Sequence, residues 1–337
     1  MENTRSLVLL SGGLDSMLAA KILIEQGVEV TGITFVSHFF GAGKARRAAE
    51  QLKIRLIEYD FKDEHLAMVK KPEHGYGSNM NPCIDCHALM LLKARELMKT
   101  ENYGLVATGE VLGQRPMSQN KDALQLVAKI SGLVGRLLRP LSAKLLDLTE
   151  AEKEGKIRRE ELFDISGRSR KRQVELAVSY GLKDYPSPAG GCLLTDPAFS
   201  QRLGDLFRNW PDCTGGDIEI IKFGRVHWLI GADGKKILAV IGRDEKENNI
   251  LNGLARAGDT IIELTDLNGP TTLIRNYKTQ NTNYKGIKNT EEVIVPLELS
   301  EKIIKNKNIL ETAGQLTGYY SPKARGKSVR VAYRRIE

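Results

Sequence analysis

The stretch Leu7-Val8-Leu9-Leu10-Ser11-Gly12-Gly13-Leu14-Asp15-Ser16 constrains the fold of this chain more than any other feature. An apolar run that stops at Ser-Gly-Gly is how a buried parallel strand ends. Residues 16–26 then read as a helix, with Met17, Ala20, Ile22 and Leu23 on its inner side and Gly27 just past its end. Strand, glycine turn and helix in that order gather backbone N–H groups and the hydroxyls of Ser11 and Ser16 around an anion at the positive helix end. Phosphate is the natural occupant.

The pattern continues with a strand over 28–36, a helix over 43–52, a strand over 55–59, a helix over 86–100 and a strand over 105–108. Such alternation predicts an α/β fold with a doubly wound parallel sheet and a ligand at the carboxyl ends of its strands. After Arg139-Pro140-Leu141 the texture becomes helical, over 149–155, 158–163 and 169–180, and 184–197 is a Pro- and Gly-rich loop. Short strands over 219–223, 226–230 and 236–241, punctuated by Gly224, Gly231 and Gly242, predict an α+β domain. Three segments are therefore expected: a nucleotide-binding domain over 1–145, a helical and basic region with the Cys192 loop over 146–200, and a C-terminal α+β domain over 201–337.

No apolar run approaches the roughly 18 residues that a membrane span needs. The first residues lead into a strand without a cleavable signal pattern, so a soluble, cytoplasmic protein with no membrane partner is expected. Four cysteines, two of them in Cys83-x-x-Cys86, disfavour a disulfide framework and favour metal or redox chemistry. The formal charge of +8 permits a nucleic-acid partner without requiring one. Its distribution is more informative: 271–290 holds four basic and no acidic residues beside Tyr277 and Tyr284. Likewise 316–336 carries Lys323, Arg325, Lys327, Arg330, Arg334 and Arg335 with Tyr319, Tyr320 and Tyr333, and no acid. A solvated basic face is the plainer account of either segment taken alone.

The Gly-x-x-x-x-Gly-Lys-Ser/Thr pattern of ordinary P-loops is absent. Ser11-Gly12-Gly13-Leu14-Asp15-Ser16 instead resembles the PP-loop of ATP pyrophosphatases. The resemblance implies that ATP is cut between its α and β phosphates, that AMP passes to an oxygen, and that pyrophosphate sits on Ser11, Gly12, Gly13, Asp15 and Ser16. It also implies that Asp15 helps to place Mg²⁺. The stretch Thr108-Gly109-Glu110-Val111-Leu112-Gly113-Gln114-Arg115-Pro116-Met117-Ser118-Gln119 resembles the second ATP-site motif of tRNA 4-thiouridine synthetases, and Arg139-Pro140-Leu141 fits the same family. Topology alone places Thr34 and Phe35, at a strand end, against the adenine.

A Cys-x-x-Cys is half a zinc site, a redox pair, or one edge of an iron–sulfur cluster. His87 or Cys213 would complete a zinc site, but neighbouring Cys86 and His87 would strain one tetrahedron and Cys213 has no partner spacing. Asn-Pro-Cys83-x-x-Cys86 and Gly-Gly-Cys192 resemble the paired cysteine motifs of tRNA 2-thiouridylases and related cluster-dependent enzymes. The resemblance implies a 4Fe–4S cluster held by Cys83, Cys86 and Cys192, whose fourth iron is open to sulfide. A cluster-free route, with Cys192 carrying persulfide and Cys83 or Cys86 resolving it, is the alternative, and structural zinc the third reading. Adenylation turns a uridine carbonyl oxygen into a leaving group that sulfur displaces, which explains why the two motifs share one chain.

Arg168, Arg170, Lys171 and Arg172 open a helix just before the Cys192 loop and are candidates for RNA-backbone contacts. Cations there oppose the helix dipole and need a reason beyond solvation. The stretch from Val226 through Asp259 and on to Pro270 resembles the small RNA-binding domain of the NFACT proteins, which implies a second RNA contact. The 4-thiouridine synthetases carry an RNA-binding domain ahead of the PP-loop. Here the loop starts at Ser11, so RNA capture is expected from later segments.

The resulting expectation is a tRNA sulfurtransferase that uses ATP, Mg²⁺ and a sulfur donor, sulfide or a persulfide carrier, to make thiouridine, with O2 or O4 as the replaced atom. Rival readings are a PP-loop enzyme acting on a small nucleobase or nucleotide precursor, and a nucleotide-regulated RNA-binding adaptor without chemistry. A homodimer is compatible with the sequence but has no specific support in it.

Overall fold

The computed structural model describes residues 4–187, 192–231, 233–275, 289–300 and 308–337. Two compact units divide the chain, Met1–Ser200 and Gln201–Glu337.

In the first unit β1 (Arg5–Leu9), β2 (Glu29–Val36), β3 (Arg55–Asp60), β4 (Leu105–Ala107) and β5 (Leu137–Leu138) form a parallel sheet in the order β3-β2-β1-β4-β5. The doubly wound sheet read from the alternation is therefore the observed one. The chain moves outward from β1 to β3 and then returns to add β4 on the other side. That reversal opens a crevice between the carboxyl ends of β1 and β4, and the two motifs resembling ATP sites follow these two strands.

The helices of this unit are α1 (Leu14–Glu25), α2 (Gly43–Leu52), α3 (Lys62–Lys70), α4 (Cys83–Thr100), α5 (Lys121–Ser131), α6 (Glu150–Lys153) and α7 (Lys171–Ser179). Strand side chains alternate between faces. Val8, Leu10, Val30 and Leu105 pack with α1, α2 and α7, whereas Leu7, Ile33, Phe35 and Val106 pack with α4 and α5. Helix α1 buries Leu14, Met17, Leu18, Ala19, Ala20, Ile22 and Leu23, residues that go all round it, as befits a helix covered on both flanks. Ala151, Ile157, Leu162, Ile165, Ala177 and Leu182 join the same core, so the region after residue 145 packs onto the first unit. The helix expected over 158–163 is only a single 3₁₀ turn, Arg159–Glu161.

Helix α8 (Pro197–Asn209) spans the division. The second unit then contains α9 (Gly215–Ile221), β6 (Arg225–Ile230), β7 (Lys236–Ile241), α10 (Glu245–Leu254), β8 (Thr260–Leu264), β9 (Thr272–Arg275), β10 (Asn289–Ile294), α11 (Ile309–Tyr319) and β11 (Ser328–Arg335). Its six strands pair antiparallel in the order β10-β11-β8-β9-β7-β6. The strand expected over 219–223 is instead the end of α9. Three isoleucines interrupted by Glu219 do not distinguish the two by period, and Thr214 settles the matter by donating its backbone N–H to Asp217 Oδ2 at 2.8 Å, which starts a helix.

The basic, tyrosine-bearing segments also need correction. Arg275 is buried, and its guanidinium bonds Asp259 at 2.8 Å and Asp217 at 3.2 Å, so it belongs to the core and not to a basic surface. Tyr277, Lys278, Tyr284, Lys285 and Lys288 lie outside the described residues. Tyr333 is buried, while Tyr319 and Tyr320 lie half-buried beneath the guanidiniums of Arg325 and Arg225, 4.6 and 4.5 Å from the ring centres. Among the described residues no helix is long and apolar enough to cross a membrane.

Candidate active site

Gly12 has φ +77°, and a Cβ there would fall 2.4 Å from the carbonyl carbon of Lys44 at the start of α2. Gly109, after β4, has the same relation to the carbonyl carbon of Asp15, also at 2.4 Å. Gly12 thus lets the turn lie against the start of α2, and Gly109 lets the second motif lie directly on the first. Ser16 Oγ donates to the Gly13 carbonyl at 2.7 Å, and Ser11 Oγ accepts the Gly13 N–H at 3.3 Å. No side chain caps α1, whose first-turn N–H groups therefore face the crevice as anion donors.

Asp15 is the hub of a polar set. Its Oδ2 accepts from Gln114 Nε2 at 2.8 Å, Gln114 Oε1 accepts from Gln173 Nε2 at 3.0 Å, and Arg170 Nη2 stands 3.5 Å from Asp15 Oδ1. Gln173 is fully buried, yet its Oε1 has no hydrogen-bond partner, and neither does the buried Nε of Arg170. Of the four cations read as RNA contacts, Arg170 thus points into the PP-loop. Arg168 and Lys171 are exposed, and Arg172 pairs outward with Asp164 at 2.8 Å.

Beside this set Glu110 is buried and fully engaged. Oε2 accepts from Arg139 Nε at 2.9 Å and Thr108 Oγ1 at 3.0 Å, and Oε1 faces His87 Nδ1 at 2.9 Å. Burial alone would raise the Glu110 pKa, but the Arg139 charge and His87 outweigh it and hold the carboxyl well below its ordinary range. His87 is therefore turned toward the second motif and away from the thiols.

Helix α4 starts at Cys83, three residues earlier than the sequence suggests, so Cys83 and Cys86 share its first turn. The backbone N–H of Leu193 donates to the Phe39 carbonyl at 3.2 Å, which brings the Cys192 segment beside Phe39. Phe39 in turn packs 5.5 Å from His65, whose Nε2 is 3.2 Å from Cys86 Sγ. The three thiols are near enough to act on one another electrostatically. Burial pushes Cys83 up and Cys192 up to about 11, with the Arg115 charge opposing both; Cys86 rises well above the usual thiol value, first through burial and then through its thiol neighbours. Gly190 and Gly191 lie outside the described residues.

Among the described residues the one set of three His, Cys, Asp or Glu ligand atoms within 4.8 Å of one another is Glu73, His74 and Asp85. Tetrahedral zinc with bonds of about 2.3 Å needs its sulfurs roughly 3.8 Å apart, and Cys83, Cys86 and Cys192 do not form such a set here. A cubane would put each thiolate on a separate iron and so would not need the three sulfurs around one ion. Phe35 is a core residue whose ring lies 5.1 Å from that of Phe61, and Thr34 is buried beside it. The sequence reading missed His65 and Gln173. His65 sits in a mixed polar helix, Lys62–Lys70, that carries no motif, and Gln173 reads as an ordinary helix residue.

The sheet order, the uncapped glycine turn after β1 and the second motif laid against it are those of a PP-loop α/β fold. Residues 2–154 match the family model described as thiamine biosynthesis protein (ThiI). The tRNA-specific 2-thiouridylase MnmA of Methylobacterium nodulans is 32% identical over 143 residues, 36% of this chain and 37% of that protein. MnmA of Syntrophomonas wolfei is 40% identical over 84 residues, 24% of this chain and 25% of that protein. The chain thus spans between about a quarter and two fifths of the curated relatives it matches. A solved 4-thiouridine synthetase–RNA complex with bound ATP aligns with TM-score 0.38 and 19% identity, covering 62% of this chain and 51% of that one.

Proposed function

We propose that this protein is an ATP-dependent tRNA sulfurtransferase that converts a uridine to a thiouridine. One loop carries the reading: residues 112–119 put Gln114 on Asp15 of the PP-loop at 2.8 Å and set Ser118 and Arg115 against Cys83. A site for activating an oxygen and a site for sulfur therefore share a wall. The family model and the names of the curated 2-thiouridylases support the same reaction class.

In this reading a uridine carbonyl oxygen attacks the α-phosphorus of ATP, and the bond from that phosphorus to the β-bridging oxygen breaks. The leaving pyrophosphate would rest on the α1 N–H groups, Ser11, Ser16 and Arg170. Asp15, partly buried and held among the described residues by neutral Gln114 and the distant edge of Arg170, offers carboxylate lone pairs to Mg²⁺; Glu110, committed to Arg139 and His87, does not. A sulfide-class nucleophile then attacks the activated carbon, the carbon–oxygen bond breaks and AMP leaves. The donor set of Cys83, Cys86 and Cys192 fits a 4Fe–4S cluster, which when bound would supply a thiophilic site for that sulfide. With the Phe35 ring buried, adenine contacts would fall to Thr34, Thr108 and Gly109 and the backbone of the strand ends. Arg168, Lys171, Arg172 and the C-terminal unit would hold the tRNA, in the cytoplasm.

The test is nucleoside analysis of bulk tRNA from a deletion strain. Loss of one thiouridine species, restored by the wild-type gene, is expected and names the product. An unchanged thiouridine profile rejects the reading.

A further inference from the structure

The His65 ring lies among the rings of Phe61, Phe40 and Phe39, at 4.8, 5.3 and 5.5 Å, and its side chain is fully buried. Among the described residues one polar atom lies within hydrogen-bond reach of it, Cys86 Sγ at 3.2 Å from Nε2, while Nδ1 has no hydrogen-bond partner and His38 acts on the ring only through its charge. A neutral imidazole carries one proton. On Nδ1 that proton would be a buried donor without a hydrogen-bond partner among the described residues, and orphaned N–H groups are rarer in folded proteins than orphaned acceptors. On Nε2 it is donated to sulfur, leaving only an unpaired lone pair at Nδ1.

We infer that His65 is a positioning residue that donates its Nε2–H to the sulfur of Cys86, and that this sulfur is built to accept a hydrogen bond as a permanent metal ligand. The inference rests on the cluster reading above and sharpens it. A base that activates Cys86 as a nucleophile would have to take the thiol proton at Nε2, and that needs the orphaned Nδ1–H tautomer. Persulfide chemistry at Cys86 is therefore disfavoured by hydrogen-bond accounting, and Cys86 differs from Cys83 and Cys192, both of which are more open and influenced by Arg115. An N–H donated to a thiolate ligand withdraws electron density and raises the potential of the metal centre it serves.

The experiment compares wild type, His65→Phe and His65→Gln after anaerobic reconstitution with iron and sulfide, reading iron content, midpoint potential and the imidazole ¹⁵N shifts of His65. Phenylalanine fits the aromatic surroundings without a donor, and glutamine restores an N–H at similar reach. The expected result is equal iron in all three, a lower midpoint potential in His65→Phe, a return toward the wild-type potential in His65→Gln, and an Nε2–H tautomer in the wild type. Equal potentials in fully loaded wild type and His65→Phe overturn the inference, as does an Nδ1–H tautomer, which is readable in cluster-free protein and holds even if the phenylalanine variant fails to fold. Wild type that takes up no iron under these conditions rejects the cluster reading itself, a different failure from either of these.

Discussion

Around Glu110 every carboxylate oxygen has a donor, whereas a few residues away, around Asp15, a buried amide oxygen and a buried guanidinium nitrogen stand without partners. Both sets follow strand ends of one crevice, and both combine carboxylate, arginine and neutral polar groups. The second unit offers a further case of the first kind: Arg275 is closed off by Asp259, Asp217 and the carbonyls of Gly216 and Leu254. Because a buried polar atom without a partner carries a desolvation cost, closed sets hold a fold together and open ones await something. In the Asp15 set the orphaned guanidinium N–H of Arg170 suits an anionic oxygen such as that of phosphate, whereas the orphaned amide oxygen of Gln173 calls for a donor.

The sharpest way to break this contrast is at the sulfur end. Cys192→Ser should abolish thiolation while ATP binding, measured by equilibrium titration, stays within about twofold, because the PP-loop donors come from other segments. Loss of ATP binding as well would mean that the Cys192 segment supports the fold, and that the two sites are not separable.

Next comes the closed knot. Glu110→Gln leaves Arg139 buried without a counter-charge and should destabilise the protein by about 3–5 kcal/mol. The sign of its pH dependence follows from the depressed carboxyl. The stabilisation is fully present above the ordinary carboxylate range, where the unfolded glutamate is ionised, and is lost as pH falls toward the lower folded value. Wild type should therefore lose more stability on acidification than Glu110→Gln does, as read by denaturant unfolding at a series of pH values. A variant as stable as wild type at neutral pH would show that the knot is not what holds the second motif.

How legible each set was in the sequence follows from the kind of contact it makes. The PP-loop, its strand and α1 were readable because local chemistry fixes them: an apolar run, a glycine pair, then a helix pattern. Cys83 and Cys86 were readable as a pair by spacing. The role of Arg170 was not, because three neighbouring cations look alike in a string, and only the fold turns one of them toward Asp15, 155 residues away. The same is true of His65 and Cys86, and of Arg275, whose basic neighbours suggested a surface while two carboxylates had claimed it for the core. Strand 219–223 was misread for a different reason, since three isoleucines in a short run satisfy strand and helix alike.

Arg170 permits a direct test of the open set. Arg170→Ala removes a charge-assisted contact of about 1.5–3 kcal/mol to the phosphates, which corresponds to roughly 10- to 100-fold weaker ATP binding. The melting temperature should barely move, since among the described residues this guanidinium makes one long contact, to Asp15. The opposite pattern, a large loss of stability with unchanged ATP affinity, would put Arg170 with Glu110 among the closed sets.

The smallest effect is expected two residues further along. Arg172 faces outward, half-exposed, and its pair with Asp164 is a surface one, worth about 0–1 kcal/mol. Arg172→Ala should leave both stability and ATP affinity unchanged. If the outer face of α7 meets tRNA, the substitution should weaken tRNA binding modestly and lower the salt dependence of that binding by about one phosphate contact. Reading Arg170 and Arg172 side by side isolates direction as the variable, since the two share charge, helix and chemistry. An Arg172→Ala protein with wild-type tRNA affinity and an unchanged salt slope would remove α7 from the RNA surface and leave tRNA capture to the rest of the chain.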